Sequence, residues 1–327
     1  MEPMLLIPQG KDYLWGGTRL QTEYGKQLNM VPLAETWECS VHPDGPSVVA
    51  TGSFAGQTLQ KVLEHHPEFL GSKVVPGKEL PILVKFIDAA KELSIQVHPN
   101  DAYAQKYEGQ KGKTEMWYVM DAQPGATLFH GFAHNITKEQ LQKAMCTGEI
   151  LKYLNRVPVH RGDVFFIPPG TIHAIGAGVL VAEIQENSNV TYRVYDYDRI
   201  DKDGKKRALH FEKALEVLNL RSGLEVRQKP RMVRYYPGCS RELLCRCEYF
   251  ETERIQVQKT MSFDVLTASF QVLLCLEGCG ELEISDKEKS NAATWPLKFK
   301  KGDCIFLPAG LGTCQIQGQN TLLKIRC

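Results

Sequence analysis

Short apolar runs broken by Gly, Pro and Asn make up most of the chain. Before residue 200 they include "PILVKFIDA", "LSIQVHP", "EMWYVMDA", "DVFFIPPG", "VLVAEIQEN" and "VTYRVYDYD". Beyond residue 245 the pattern resumes in "CEYFETERIQVQKT", "FQVLLCLEGCGELEI" and "CIFLPAG". Such runs, rich in Val, Ile, Tyr and Phe, predict strands, and their density predicts an all-β sandwich or barrel. Helical spacing is rarer. It predicts a helix in "TLQKVLEHHPEFLG", a second over "ITKEQLQKAMCTGEILKYLNRV" capped by Thr137 with Glu139-Gln140, and a third in "LHFEKALEVLNL" from near His210.

The basic run "DKDGKKR", 201 to 207, reads as a solvated loop, and 221 to 238 lacks periodicity and holds the expected linker. At 327 residues two domains are favoured, with spans 1–235 and 236–327. One internal echo stands out: "GDVFFIPPGTIH" from Gly162 recurs as "GDCIFLPAGLGT" from Gly302. His173 in the first copy is Thr313 in the second.

Charge narrows the partners. A formal net charge of +1 provides no field for nucleic acid or an acidic membrane, so the substrate must be recognised by a local site. No apolar run approaches the roughly 20 residues of a membrane helix, and no secretion signal is evident, which predicts a cytoplasmic protein. The ten cysteines are scattered, several in strand-like runs (Cys275, Cys304), and are expected to be reduced core residues. Neither Cys245-Arg-Cys247 nor Cys275-x3-Cys279 has zinc-finger spacing.

The candidate chemistry lies in three strand segments. "SIQVHPN" puts Gln96 and His98 two residues apart, on one face of a strand, and "KGKTEMWYVM" does the same for Lys113 and Glu115. "GDVFFIPPGTIH" delivers His173 directly after a Pro-Pro-Gly turn. Two imidazoles, one carboxylate and one amide oxygen suit a divalent metal with room for water or substrate. Other histidines fit less well. Gly131 argues against a helix that presents both His130 and His134, His65-His66 ends a helical run, and Trp37 near Glu35 and Glu38 suits either a sugar cleft or a core.

These residues carry a resemblance to the cupin superfamily. Gly162, Pro168, Gly170 and His173 fit the second half of its pattern, and Gln96 stands for the first histidine of the first half. More narrowly, the chain resembles the zinc-dependent type I mannose-6-phosphate isomerases in their short bacterial form. "WGGTRL", "ETWECSVHPDG", "LSIQVHPND", "GKTEMWYV", "PPGTIHAIG" and "ENSNVTYRVYDYDR" carry it from Trp15 to Arg199. The resemblance implies two cupin (jelly-roll) domains with peripheral helices, and one Zn²⁺ per chain on Gln96, His98, Glu115 and His173. It also implies catalytic roles for Arg193, Glu183 and Lys113, and a sugar-phosphate substrate converted through a cis-enediol.

The second domain, with no histidine after 210, is expected to lack a metal. The residues alone leave two alternatives open: a sugar-phosphate-binding regulatory cupin without catalysis, and a non-haem Fe(II) oxygenase. Phosphate ligands are sought among Arg193, Lys113, Lys91 and the loop near Lys205.

Overall fold

The computed structural model describes residues 1–75, 77–200, 204–222, 231–284 and 296–327. Its three sheets are antiparallel. One sheet of six strands runs in the order Val164–Ile167, Glu115–Ala122, Val179–Glu186, Ile82–Ala89, Glu35–Cys39, Gln9–Lys11. A second sheet of five runs Tyr192–Tyr195, Ile95–Val97, His173–Ile175, Thr127–Phe132, Leu154–Pro158. Strands beyond residue 232 form the third sheet, which also takes in Met4–Ile7 and Val48–Val49. The expected domain boundary falls on its first strand, Val233–Tyr236, and residues 223–230 of the expected linker lie outside the described residues.

The six-stranded sheet is covered on both faces: every residue of Ile82–Ala89 and of Val179–Glu186 is buried. An antiparallel sheet more often wets one face and alternates polar with apolar. Here alternate residues serve two different layers. Val84, Phe86, Met116, Tyr118, Leu180 and Ile184 pack against Val272, Leu274, Phe306, Leu323 and Ile325 of the third sheet. Their neighbours Lys85, Glu115, Trp117 and Glu183 face the five-stranded sheet. The far side of that second sheet is covered by the helices Lys138–Cys146 and Phe211–Val217.

The predicted helix from Thr137 forms with its full capping box but ends at Cys146. Gly148, at φ 70°, turns the chain into a short 3-10 segment, Ile150–Tyr153, and then the strand Leu154–Pro158. A helix that the apolar pattern does not reveal, Asp101–Glu108, is capped by Asn100, which accepts from the Tyr103 amide at 2.9 Å. Among its residues only Ala104 is buried, so its apolar stripe is too thin to detect.

The echoed turns are built alike. Gly162 and Gly302 both lie at φ 92°, a region that a Cβ disfavours. In each copy the following aspartate closes the turn, Asp163 accepting from the His160 amide and Asp303 from the Lys300 amide, both at 2.8 Å. Where His173 stands in the first copy, Thr313 in the second donates to Asp264 at 2.6 Å.

Lys26 joins the two halves. Its ammonium lies 2.6 Å from Glu38, whose carboxylate is fully buried, and donates to the Gly302 carbonyl at 2.5 Å. Burial pushes the Glu38 carboxyl up, and Lys26 and Thr36 oppose that shift. Removing one partner of such a pair leaves an uncompensated buried charge. Lys26→Met should therefore destabilise the protein by about 3–5 kcal/mol, read as a lower urea midpoint, and adding Glu38→Gln should recover part of the loss.

Candidate active site

Strand register lays out two facing rows. On the five-stranded sheet Arg193, Gln96 and His173 are directly opposed across three neighbouring strands. On the six-stranded sheet the row is Trp37, Lys85, Glu183 and Trp117. Between the rows is a cavity of about 280 Å³, whose lining includes Glu35, Lys85, Gln96, Lys113, Glu183 and Arg193. Every lining residue precedes residue 211.

Beneath Gln96 and Lys113 lie His98, Glu115 and His173, all buried, with candidate ligand atoms within 4.8 Å of one another. His98 Nε2 is 3.2 Å and His173 Nε2 3.7 Å from the Glu115 carboxylate. The other ring nitrogens face carbonyls, His98 Nδ1 at 2.9 Å from Val190 O and His173 Nδ1 at 2.9 Å from Thr171 O. A carbonyl only accepts, so each Nδ1 carries the proton and each Nε2 presents its lone pair to the centre. That is the arrangement in which imidazole binds a metal, with the backbone fixing the tautomer.

Among the described residues neither Glu115 oxygen has a hydrogen bond of regular geometry, although Lys113 Nζ lies 2.7 Å from Oε1 as an ion pair. A carboxylate so buried and so short of donors suits a cation. Gln96 Nε2 is 3.4 Å from His173 Nε2, and a half-turn of its amide would offer Oε1 instead.

Electrostatics follow from burial. Burial alone would raise the Glu115 carboxyl, but Lys113, His98 and His173 outweigh it and hold it well below the usual range. Burial, reinforced by His98, lowers His173 to about 3. Burial and then the nearby Glu115 raise Glu183, which is anchored by Trp117 Nε1 at 2.8 Å and faces Lys85 at 3.3 Å. Lys85 also reaches Glu35 at 3.5 Å, and Trp37 Nε1 donates to Glu35 at 2.8 Å.

Arg193 has no carboxylate partner among the described residues. Its Nε faces Ser94 Oγ at 3.3 Å and its Nη1 donates to Ala208 O at 3.0 Å. The acids next to it in sequence are engaged elsewhere: Asp196 binds Arg199 and Arg207, and Asp198 binds Lys206.

The structure thus brings Gln96, His98, Lys113, Glu115, His173, Glu183 and Arg193 together. It places Lys91 and Lys205 on the exposed surface, outside the cavity lining. Their place is taken by Arg207, the last residue of the basic run read as solvated, which lines the cavity. Glu35 and Lys85 also enter the site. No local motif marks them, since strand pairing alone delivers Lys85 opposite Glu183. His130 pairs in register with His173, yet its Nε2 faces Phe166 O at 3.0 Å, away from the cluster.

Comparison with known proteins identifies the family and the fold. Residues 4–132 match the phosphomannose isomerase type I catalytic domain and residues 241–326 the mannose-6-phosphate isomerase cupin domain. The mannose-6-phosphate isomerase ManA of Bacillus subtilis is 38% identical over 323 residues, 97% of this chain and 96% of the relative. The crystal structure of the mannose 6-phosphate isomerase from Bacillus subtilis superposes with a TM-score of 0.90 at 34% identity, covering 99% of both chains. A zinc-bound mannose 6-phosphate isomerase shares the fold, with a TM-score of 0.78 at 17% identity over 99% of both chains.

Two outcomes follow. His173→Ala should lose bound divalent metal, measured by elemental analysis of the purified protein. In metal-free protein, His173 is deprotonated when folded and takes up a proton near its ordinary value of 6.5 when unfolded. The unfolded state then binds more protons below that value, so stability falls as pH drops from about 6.5 toward about 3. Urea midpoints across that window should decline less steeply in His173→Ala.

Proposed function

The chain belongs to the type I phosphomannose isomerase family, and we propose how its cavity interconverts mannose 6-phosphate and fructose 6-phosphate. Membership disfavours both the binding-only reading and the iron oxygenase. His98 and His173 through Nε2, Glu115 through its carboxylate and Gln96 through its amide oxygen would hold one zinc ion per chain. Such an ion supplies a fixed positive charge, worth several kcal/mol to negative charge developing on the sugar oxygens.

Isomerisation moves a proton between C1 and C2 through a cis-enediol. Glu183 takes that proton from one carbon and returns it to the other. Its raised carboxyl is the better base for a weakly acidic C–H, and the Trp117 indole fixes one of its oxygens. Lys85, 3.3 Å from the other oxygen, balances the charge of Glu183. Lys113, on the cavity wall, reaches sugar hydroxyls and shuttles their protons. Arg193 keeps an Nη2 that carries no hydrogen bond among the described residues and stays available to the substrate.

The same end of the cavity holds the phosphate. Arg193, Arg199 and Arg207 cluster around a single carboxylate, Asp196. Three guanidiniums against one carboxylate leave a surplus of two positive charges, the complement of a phosphomonoester dianion. Burial and then Arg207 pull the Arg193 guanidinium below its ordinary value, as expected where cations await an anion. Arg193 and Arg207, which line the cavity, are the anchor. All of this chemistry lies in the span 1–235, and no described residue of the span 236–327 lines this cavity.

The carrying observation is the convergence of both Nε2 atoms on a donor-poor buried carboxylate next to Glu183 and Arg193. A coupled assay for fructose 6-phosphate formed from mannose 6-phosphate should show activity that chelation abolishes and Zn²⁺ restores. A metal-loaded, folded protein without activity would refute the reading. Arg193→Ala should keep metal and fold but lose turnover by about 100-fold or more, and near-normal turnover would remove its role.

A further inference from the structure

We propose that Asp196 is a positioning residue, whose carboxylate sets the direction of Arg207 so that this guanidinium meets the substrate's phosphate. The inference rests on the reading of Arg193 and Arg207 as the phosphate anchor. Arg207 grips Asp196 at two points, Nε to Oδ2 at 2.8 Å and Nη2 to Oδ1 at 2.5 Å. Its remaining nitrogen, Nη1, makes no hydrogen bond among the described residues, and Arg207 lines the cavity. A fork held along one edge by a buried carboxylate has one open edge left to give.

The carboxylate is itself fixed. Asp196 is 5% exposed, and Arg199 binds it through Nη2. Arg199 also donates through Nε to the Asp196 carbonyl at 3.2 Å and through Nη1 to the Glu92 carbonyl. Two residues beyond Glu92, Ser94 Oγ meets Arg193 Nε. Asp196 therefore connects the two arginines that face the cavity, one through a direct fork and the other through Arg199 and the segment 92–94.

The backbone is turned to permit this. Tyr197 and Asp198 lie at φ 56° and 54°, a left-handed pair that residues with a Cβ seldom adopt. The returning chain is secured by the bridge of Ile200 with Lys206 and by the Lys206–Asp198 pair at 2.6 Å. That reversal brings Arg207 back beside Asp196. Without the carboxylate, a long side chain regains its rotamers and must be ordered again by each substrate that binds.

The test compares metal-loaded wild type, Asp196→Asn, Arg207→Ala and the double variant. It measures inhibition by inorganic phosphate together with KM and kcat for mannose 6-phosphate. Each single variant should weaken phosphate inhibition and raise KM by about tenfold, with kcat held within about threefold. The double variant should be no worse than Arg207→Ala, because Asp196 acts through Arg207. Additive losses, or unchanged phosphate inhibition in Asp196→Asn, overturn the proposal. Unchanged inhibition in Arg207→Ala instead overturns the phosphate reading, and the inference with it. Should Asp196→Asn lose its cooperative melt, Arg207→Lys decides: it keeps the charge without the two-point grip, and inhibition equal to wild type would refute the role of that grip.

Discussion

A negative charge buried with few hydrogen-bond donors is the constraint from which the site follows. Glu115 is 1% exposed, and an isolated carboxylate in such surroundings would protonate or unfold its neighbourhood. The chain surrounds it with Lys113 and with two imidazoles whose protons are committed to backbone carbonyls on the far side. Those carbonyls belong to the segments around Thr171 and Val190, so the loops beyond the ligands are fixed by the same requirement. Cation, carboxylate and tautomer form one electrostatic unit.

The six-stranded sheet lets that unit coexist with a stable core. Its period of two sends one set of residues into an apolar layer and the other into a charged one. Phe86 and Lys85 are adjacent in sequence and serve opposite purposes. Because strands tolerate little slippage when both faces are committed, the positions of Lys85, Glu183 and Trp117 are set to within a side chain's reach. Strands covered from both sides hold Gln96, Glu115, His173 and Glu183 in line without a loop.

Much of this was legible in sequence, and the reason is local spacing. Gln96 with His98, Lys113 with Glu115, and the turn that delivers His173 are each encoded within a dozen residues, and two-residue periodicity carries them to one face. Glu183 and Arg193 depended on the family resemblance, since a lone carboxylate or arginine in a strand has no local signature. Arg207 and Lys85 were not legible, because register between distant strands and the reversal after Asp196 bring them in, and Glu35 stood out only as a neighbour of Trp37. Charge also misled: the run ending at Arg207 looks like a solvated loop until Asp196 is seen to draw its last member inward. The end of the helix at Cys146 was missed because only Gly148 marks it.

The replaced turn in the second half divides the molecule's dependence on its surroundings. At the position where one copy aims an imidazole Nε2 at Glu115, the other closes a bond between Thr313 and Asp264 within its own chain. One copy leaves a lone pair facing a carboxylate, and the other pairs its polar side chains with each other. The third sheet meanwhile presents an apolar surface to the inner face of the six-stranded sheet, away from that charge. The wall shared by the two halves is therefore apolar packing set apart from the charged cluster.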